Sequence, residues 1–255
     1  MTIPLKGSVV YGPVDSRRLG RSLGINILPC DKKFCAFNCV YCQYGWTEFA
    51  PDEVELPGTD RLLDEIEEAL GRIKKEDVVF DYLTIAGNGE PTLHPDFCRI
   101  VDALIRMRGD LFPDKKIGIL SDSYGVIFPD VRRALGKLDL RCMKLDVGSR
   151  EDFLKINKPR LKIEWADMLA GLRLLKDIIV QSLFVRGAFD NSSDEAVRRW
   201  AGLIAGLNPV EVHIYTLDRP PASAGVLSVS RERLFEIKEH LEKLGYNRAR
   251  VFMRE

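Results

Sequence analysis

Histidine is scarce in this sequence: three among 255 residues, His94, His213 and His240, too scattered to propose a metal site. Long apolar runs are also missing. None approaches the ~18–20 residues a membrane span needs, so no membrane association is expected. The opening MTIPLKGSVVYGP carries no apolar h-region and no small-residue cleavage site, which argues against a secretory signal and for a cytoplasmic protein. Net charge is absent too. Lys+Arg and Asp+Glu balance at 38 each, so global charge neither favours nor excludes a polyanionic partner. There is no low-complexity stretch and no interdomain linker, and a chain of this length can bury one large core. A single domain over residues 1–255 is expected, with a core at about 20–217, an N-terminal loop (1–19) and a C-terminal helix and tail (218–255). Cysteine is present but sparse, six in all. In a reducing compartment such residues more often serve metals or catalysis than disulfides.

What is present alternates regularly. Strand patterns at 22–28, 78–86, 116–121, 142–148, 178–187 and 210–217 are separated by helical patterns at 59–75, 94–107, 130–138, 150–157, 164–177 and 193–207. A last helix at 230–245 and an extended tail at 248–252 follow. Thr59 or Asp60 is a suitable cap for the first helix, and Pro95 suits the first turn of the second. Six βα units with mostly apolar strands specify an α/β fold around a parallel sheet, and the loops after the strands gather the site at one end.

Three cysteines fall together in CAFNCVYC: Cys35, Cys39 and Cys42, in the loop after the first strand. A structural zinc wants four closed ligands, for which Cys30 could serve as the fourth. A four-iron cluster on three thiolates leaves one iron open to an outside ligand, which suits chemistry. Tyr41, with Phe37 and Tyr44, supplies an aromatic wall. Cys98 and Cys142 read as buried small apolar residues.

The pattern C-x-x-x-C-x-aromatic-C after a first strand resembles the signature of the radical S-adenosylmethionine (radical SAM) superfamily. The resemblance implies a partial (β/α)6 TIM-like barrel, one 4Fe-4S cluster on Cys35, Cys39 and Cys42, and SAM chelated to the fourth iron. It also implies a reducing electron donor such as flavodoxin or ferredoxin, and an iron–sulfur oxidoreductase that abstracts a substrate hydrogen through a 5′-deoxyadenosyl radical. After the second strand, AGNGEPTLHP resembles the family's GGEP turn. That implies a hold on the SAM amino group by Gly87, Asn88, Gly89 and Glu90, and an ammonium does want acceptors and close main chain.

Later strand ends add further candidates. The resemblance implies that Ser121, Asp122 and Ser123, after the third strand, lie near the SAM ribose. Lys144 and Asp146, charged residues in an apolar strand, share one face. If both stay on the strand, an ion pair between them is not expected. Asp146 suits ribose or substrate, and Lys144 suits an anion or an imine. The resemblance implies adenine and carboxylate contacts at the last strands, where Arg186, Gly187, Asn191, Leu217, Asp218 and Arg219 are available. Arg17, Arg18 and Arg21 in YGPVDSRRLGRSLG read as a loop near the cluster, suited to phosphate or nucleic acid.

The whole chain resembles short radical SAM iron–sulfur oxidoreductases related to the wyosine tRNA-modification enzymes, through those motifs together with KINKPR and YTLDRPP. It lacks their second cysteine triad. An RNA or nucleotide substrate is the first expectation. A protein substrate (as for a glycyl-radical activase) or a small metabolite is the alternative, and a non-enzymatic iron–sulfur or zinc protein is the last.

Overall fold

The computed structural model describes residues 2–253, which form two compact units. The first comprises residues 5–35 and 47–141; the second comprises residues 36–46 and 142–253 with the first few residues of the chain. Among the described residues no helix is long and apolar enough to cross a membrane.

In the first unit, β1 (Val10–Ser16) pairs antiparallel with β2 (Gly20–Ile25). Strands β3 (Tyr82–Ile85) and β4 (Lys116–Ser121) continue the sheet in parallel, in the order β1-β2-β3-β4. The crossovers are helical: α1 (Thr59–Lys75) leads to β3 and α2 (Phe97–Leu111) to β4, with α3 (Pro129–Leu135) after β4. The register puts Leu23 beside Leu83 and Ile117 on one face. Gly24, Thr84 and Gly118 occupy the other. That second face is narrow: a Cβ on Gly24 would lie 2.1 Å from the Tyr11 ring. On α1, Leu62, Ile66 and Leu70 are buried at helical spacing, each contributing about 1.5–3 kcal/mol.

Two cap expectations change. Gly58 is the N-cap of α1, and the Thr59 hydroxyl instead donates to the Asp96 carboxylate, a tertiary use. Pro95 precedes α2, whose N-cap is Asp96. The larger correction is residues 11–21, expected as a loop ahead of the strand at 22–28 and folded into a β-hairpin with it. A bulge between Tyr11 and Val14 takes up Gly12 and Pro13. Proline is tolerated there because β1 is an edge strand and needs no outer donor. The turn carries Arg17, Arg18 and Arg21 to the start of β2, whereas Cys35 follows the other end of that strand. Arg21 pairs with Asp15 (3.7 Å) at the surface.

In the second unit, β5 (Leu140–Lys144, from Cys142 on), β6 (Ile178–Leu183), β8 (Glu211–Tyr215) and β10 (Ala249–Phe252) follow in that order. The pairs β6–β8 and β8–β10 are parallel, so the expected tail is a full sheet strand. Between β5 and β6 lie α4 (Arg150–Ile156) and α5 (Trp165–Leu174). Helices α6 (Asp194–Leu207) and α7 (Arg231–Lys243) precede β8 and β10. The single strand expected at 178–187 is two: after Phe184 the chain leaves the sheet and forms β7 (Val185–Gly187), antiparallel to β9 (Val226–Ser228). Asn191 fixes that corner, accepting from Val185 N (2.8 Å) and donating to Leu183 O (2.9 Å) and Asp146 O (2.8 Å).

Candidate active site

In the first unit the candidate residues lie where β2, β3 and β4 end. The turn after β3 is shaped by what it must approach. Gly89 has φ +148, and a Cβ there would lie 1.7 Å from Phe34 O. Phe34 N donates to Asn88 O and Glu90 N to Phe34 O, both 2.9 Å, so the residue before Cys35 is laced to this turn. Asn88 is fully buried. Its Oδ1 accepts from Lys6 N (2.7 Å), and its Nδ2 donates to Lys6 O and Pro29 O (both 2.9 Å). A glycine could make none of these bonds, so the asparagine braces the turn. Gly89→Ala is expected to cost about 3 kcal/mol, from backbone strain and loss of the bridge to Phe34, read as a lowered unfolding midpoint in denaturant.

Glu90 is buried and its carboxylate is filled by neighbours. Oε1 accepts from Thr92 N (3.0 Å), Thr92 Oγ1 (2.6 Å) and Ser121 Oγ (2.9 Å), and Oε2 accepts from Asp122 N. Burial, then the adjacent Glu90 charge, hold the Asp122 carboxyl well above the ordinary carboxylate range. The Cys35 thiol donates to Asp122 Oδ2 at 3.5 Å. Cys35, Glu90, Ser121 and Asp122 thus come together at the strand ends. Ser123, at φ +77, is buried in the turn.

In the second unit the hub is Asp146, whose side chain is 0% exposed. Strand β5 ends at Lys144, which frees the next residues to curl. Lys144 Nζ therefore reaches Asp146 Oδ1 at 2.6 Å: Asp146 has left the strand, so the condition under which no pair was expected is not met. Asp146 also accepts from Leu183 N (2.8 Å), from Asn157 Nδ2 (2.9 Å) and from the Tyr41 hydroxyl. Tyr41 is therefore more than an apolar wall: its ring faces Lys144 Nζ (5.0 Å) and its hydroxyl ties the cysteine loop to Asp146. Lys144 also donates to Tyr215 Oη (3.0 Å). Burial by itself would lower the Lys144 amine; Asp146 and Tyr215 outweigh it and raise it to about 12.

The segment Ile156–Arg160 runs alongside the cysteine loop. Val40 N donates to Ile156 O (2.9 Å), Asn38 N to Lys158 O (3.0 Å) and Arg160 N to Ala36 O (2.8 Å). The Asn157 amide lies 3.5 Å from Cys39 Sγ. Burial, then the Asp146 charge, push the Cys39 thiol up to about 12. Asn157 and Tyr215 had no role in the sequence reading, though KINKPR contains the first and YTLDRPP begins with the second. Cys42 is half-buried. Arg219 and Asp218 are exposed in a turn, Leu217 is half-buried beside them, and exposed Arg186 donates to Ser228 O (2.9 Å). Cys142 is buried as expected, but Cys98 is partly exposed on α2.

A match to the radical SAM superfamily model covers residues 32–204. The chain belongs to the radical SAM superfamily. This radical SAM chain is 32% identical over 219 residues to a UPF0026 protein of Methanocaldococcus jannaschii, covering 84% of itself and 65% of that protein. It thus spans a little less than two thirds of that relative. A radical SAM methyltransferase from Sphaerobacter thermophilus shares its fold, with TM-score 0.67, 16% identity, and 91% and 65% of the two chains covered. So does TYW1 with a lysine-pyruvate adduct bound, with TM-score 0.57, 15% identity, and 88% and 73% covered. The fold is the α/β fold that these radical SAM structures share.

The donor set suits an iron–sulfur cluster. Cys35, Cys39 and Cys42 are thiols outside any disulfide, each partly exposed, with soft sulfur donors. Among the described residues no three His, Cys, Asp or Glu side chains are already drawn together for a metal, so the fit rests on donor chemistry.

Proposed function

We propose that Cys35, Cys39 and Cys42 hold one 4Fe-4S cluster and that the enzyme cleaves SAM reductively to activate a nucleotide-containing substrate. The observation that carries this reading is the bracing of the cysteine loop by two different motifs. Phe34 is tied to the Gly89 turn, and Ala36, Asn38 and Val40 are tied to residues 156–160. Cys35, Cys39 and Cys42 would hold the cluster, which would supply an electron for reductive cleavage of SAM and so the means to remove a hydrogen atom from substrate. The chain's part is to bind and orient. Turn 87–90 offers main-chain acceptors for the SAM ammonium, with Glu90 setting the turn's shape through Thr92 and Ser121. Ser121, Asp122 and Ser123 are assigned to the ribose side, and Arg186, Leu217 and Arg219 to adenine and carboxylate.

Lys144 has a charge role in this reading. An imine-forming lysine needs a neutral amine, and Lys144 is held as an ammonium by Asp146 and Tyr215. For the substrate class, support comes from Lys158, whose Nζ lies 5.4 Å from the Trp46 ring centroid and 5.1 Å from that of Phe189. Cation and aromatic faces side by side are what bases and phosphates use.

Anaerobic reconstitution followed by iron and sulfide analysis and a deoxyadenosine assay tests the chemistry. A protein that holds no iron–sulfur cluster and makes no deoxyadenosine would sink it. Changing Arg17, Arg18 and Arg21 together to Ala is expected to leave substrate-free SAM cleavage unchanged, because the hairpin carries them to the far end of β2. A loss seen only when an RNA or nucleotide substrate is added would assign them to substrate binding.

A further inference from the structure

KINKPR contributes a residue that the reaction outlined above does not use. Helix α4 ends at Ile156, with Asn157 as its C-cap. Lys158 turns the chain with φ +44, and Pro159 bridges to Phe37 in the cysteine loop. This places the buried Asn157 amide among three acceptors. Asp146 Oδ2 lies 2.9 Å from Nδ2, the Tyr41 oxygen 3.3 Å and Cys39 Sγ 3.5 Å. The orientation of the amide is fixed by chemistry. An ionised carboxylate only accepts, so the nitrogen must face Asp146. Asp146 is itself immobilised by Leu183 N and Lys144. One N–H is then committed to the carboxylate, and the other is aimed at the sulfur and the phenol oxygen. Aspartate would have no donor to offer, and alanine would not reach.

We infer that Asn157 is a positioning residue for the iron–sulfur centre: its amide donates an N–H···S hydrogen bond to Cys39 and so sets how readily the cluster accepts an electron. This rests on Cys39 being a cluster ligand. A donor to a ligand sulfur withdraws electron density, stabilises the reduced cluster and raises its potential. The same amide links the thiolate to Asp146, and through it to Lys144, so the ligand's orientation is tied to a buried ion pair.

The test uses full-length protein, reconstituted anaerobically as wild type, Asn157→Ala and Asn157→Asp. Circular dichroism and iron and sulfide content are recorded first, and each cluster is then titrated with reductant and followed by electron paramagnetic resonance. Both variants are expected to load as wild type does. At a fixed poise their reduced-to-oxidised ratio falls about tenfold, a shift of 59 mV for a one-electron couple, with Asp shifting further than Ala because it adds negative charge. A weakly coupled exchangeable proton present in wild type is lost in both. Folded, fully loaded variants at the wild-type potential would overturn the role of Asn157 alone. Wild-type protein that takes up no cluster would instead overturn the ligand reading on which it stands. If Ala fails to fold, Asp, which keeps the side chain's shape, carries the comparison. If both fold yet hold no cluster, Asn157 only seats the loop and the redox claim is wrong.

Discussion

Cys35→Ala, Cys39→Ala and Cys42→Ala are each expected to abolish cluster retention and drop deoxyadenosine formation to background. A thiolate–iron bond has no substitute from a methyl group, and a cluster left with two protein thiolates loses its hold. Cys98→Ala and Cys142→Ala are the internal controls and should retain both iron and activity. Cys98 lies half-exposed on α2 and Cys142 is buried in β5, and neither belongs to the cysteine loop. Iron per chain, the visible absorption of the reconstituted protein and chromatographic quantitation of deoxyadenosine give the answer together. Deoxyadenosine from the triple variant would refute the mechanism.

The second large effect is on stability. Asp146→Ala is expected to cost about 3–5 kcal/mol, because it leaves the Lys144 ammonium buried without its partner. It also orphans the Leu183 N–H and the Asn157 amide. For a domain of this size that corresponds to a melting midpoint lower by roughly 10 °C. Removing both charges, as in Lys144→Met with Asp146→Asn, should be less damaging than Asp146→Ala by itself, since no buried charge is then unpaired. A double variant no better than the single would show that the ion pair is not what holds the hub. The Lys144 amine is raised from 10.5 to about 12, so the pair's contribution is complete below pH 10.5 and fades as pH rises through 12. Thermal melts across that window should show a steeper alkaline decline in wild type than in Lys144→Met.

The alternation of apolar strands and amphipathic helices was legible because burial imposes periods of two and 3.6 on a sequence. Strand 116–121 and helix 150–156 illustrate it, matching the periodic pattern to within a residue. The hairpin at 10–25 was not legible, because Gly12 and Pro13 read as breakers, while an edge position and a bulge let a strand absorb them. The break at Phe184 was hidden for a related reason. Residues 178–187 are continuously β-forming, and only the Asn191 corner tells β6 from β7.

The three thiols, their spacing and the glycine–acid turn are covalent facts of the chain, and ligand chemistry depends first on which atoms are present. The sequence by itself therefore determined the family and the donor atoms from which the proposed cofactor is argued. Which polar groups surround those atoms depends on contacts 80 to 120 residues apart along the chain, as between Asn88 and Lys6 or between Asn157 and Cys39. Local patterns do not encode such distances. Only the tertiary structure decided that the asparagine in the glycine turn is a brace and that the arginines stand on a β-hairpin. It also decided that Lys144 is a locked cation, and that an amide from KINKPR points at Cys39.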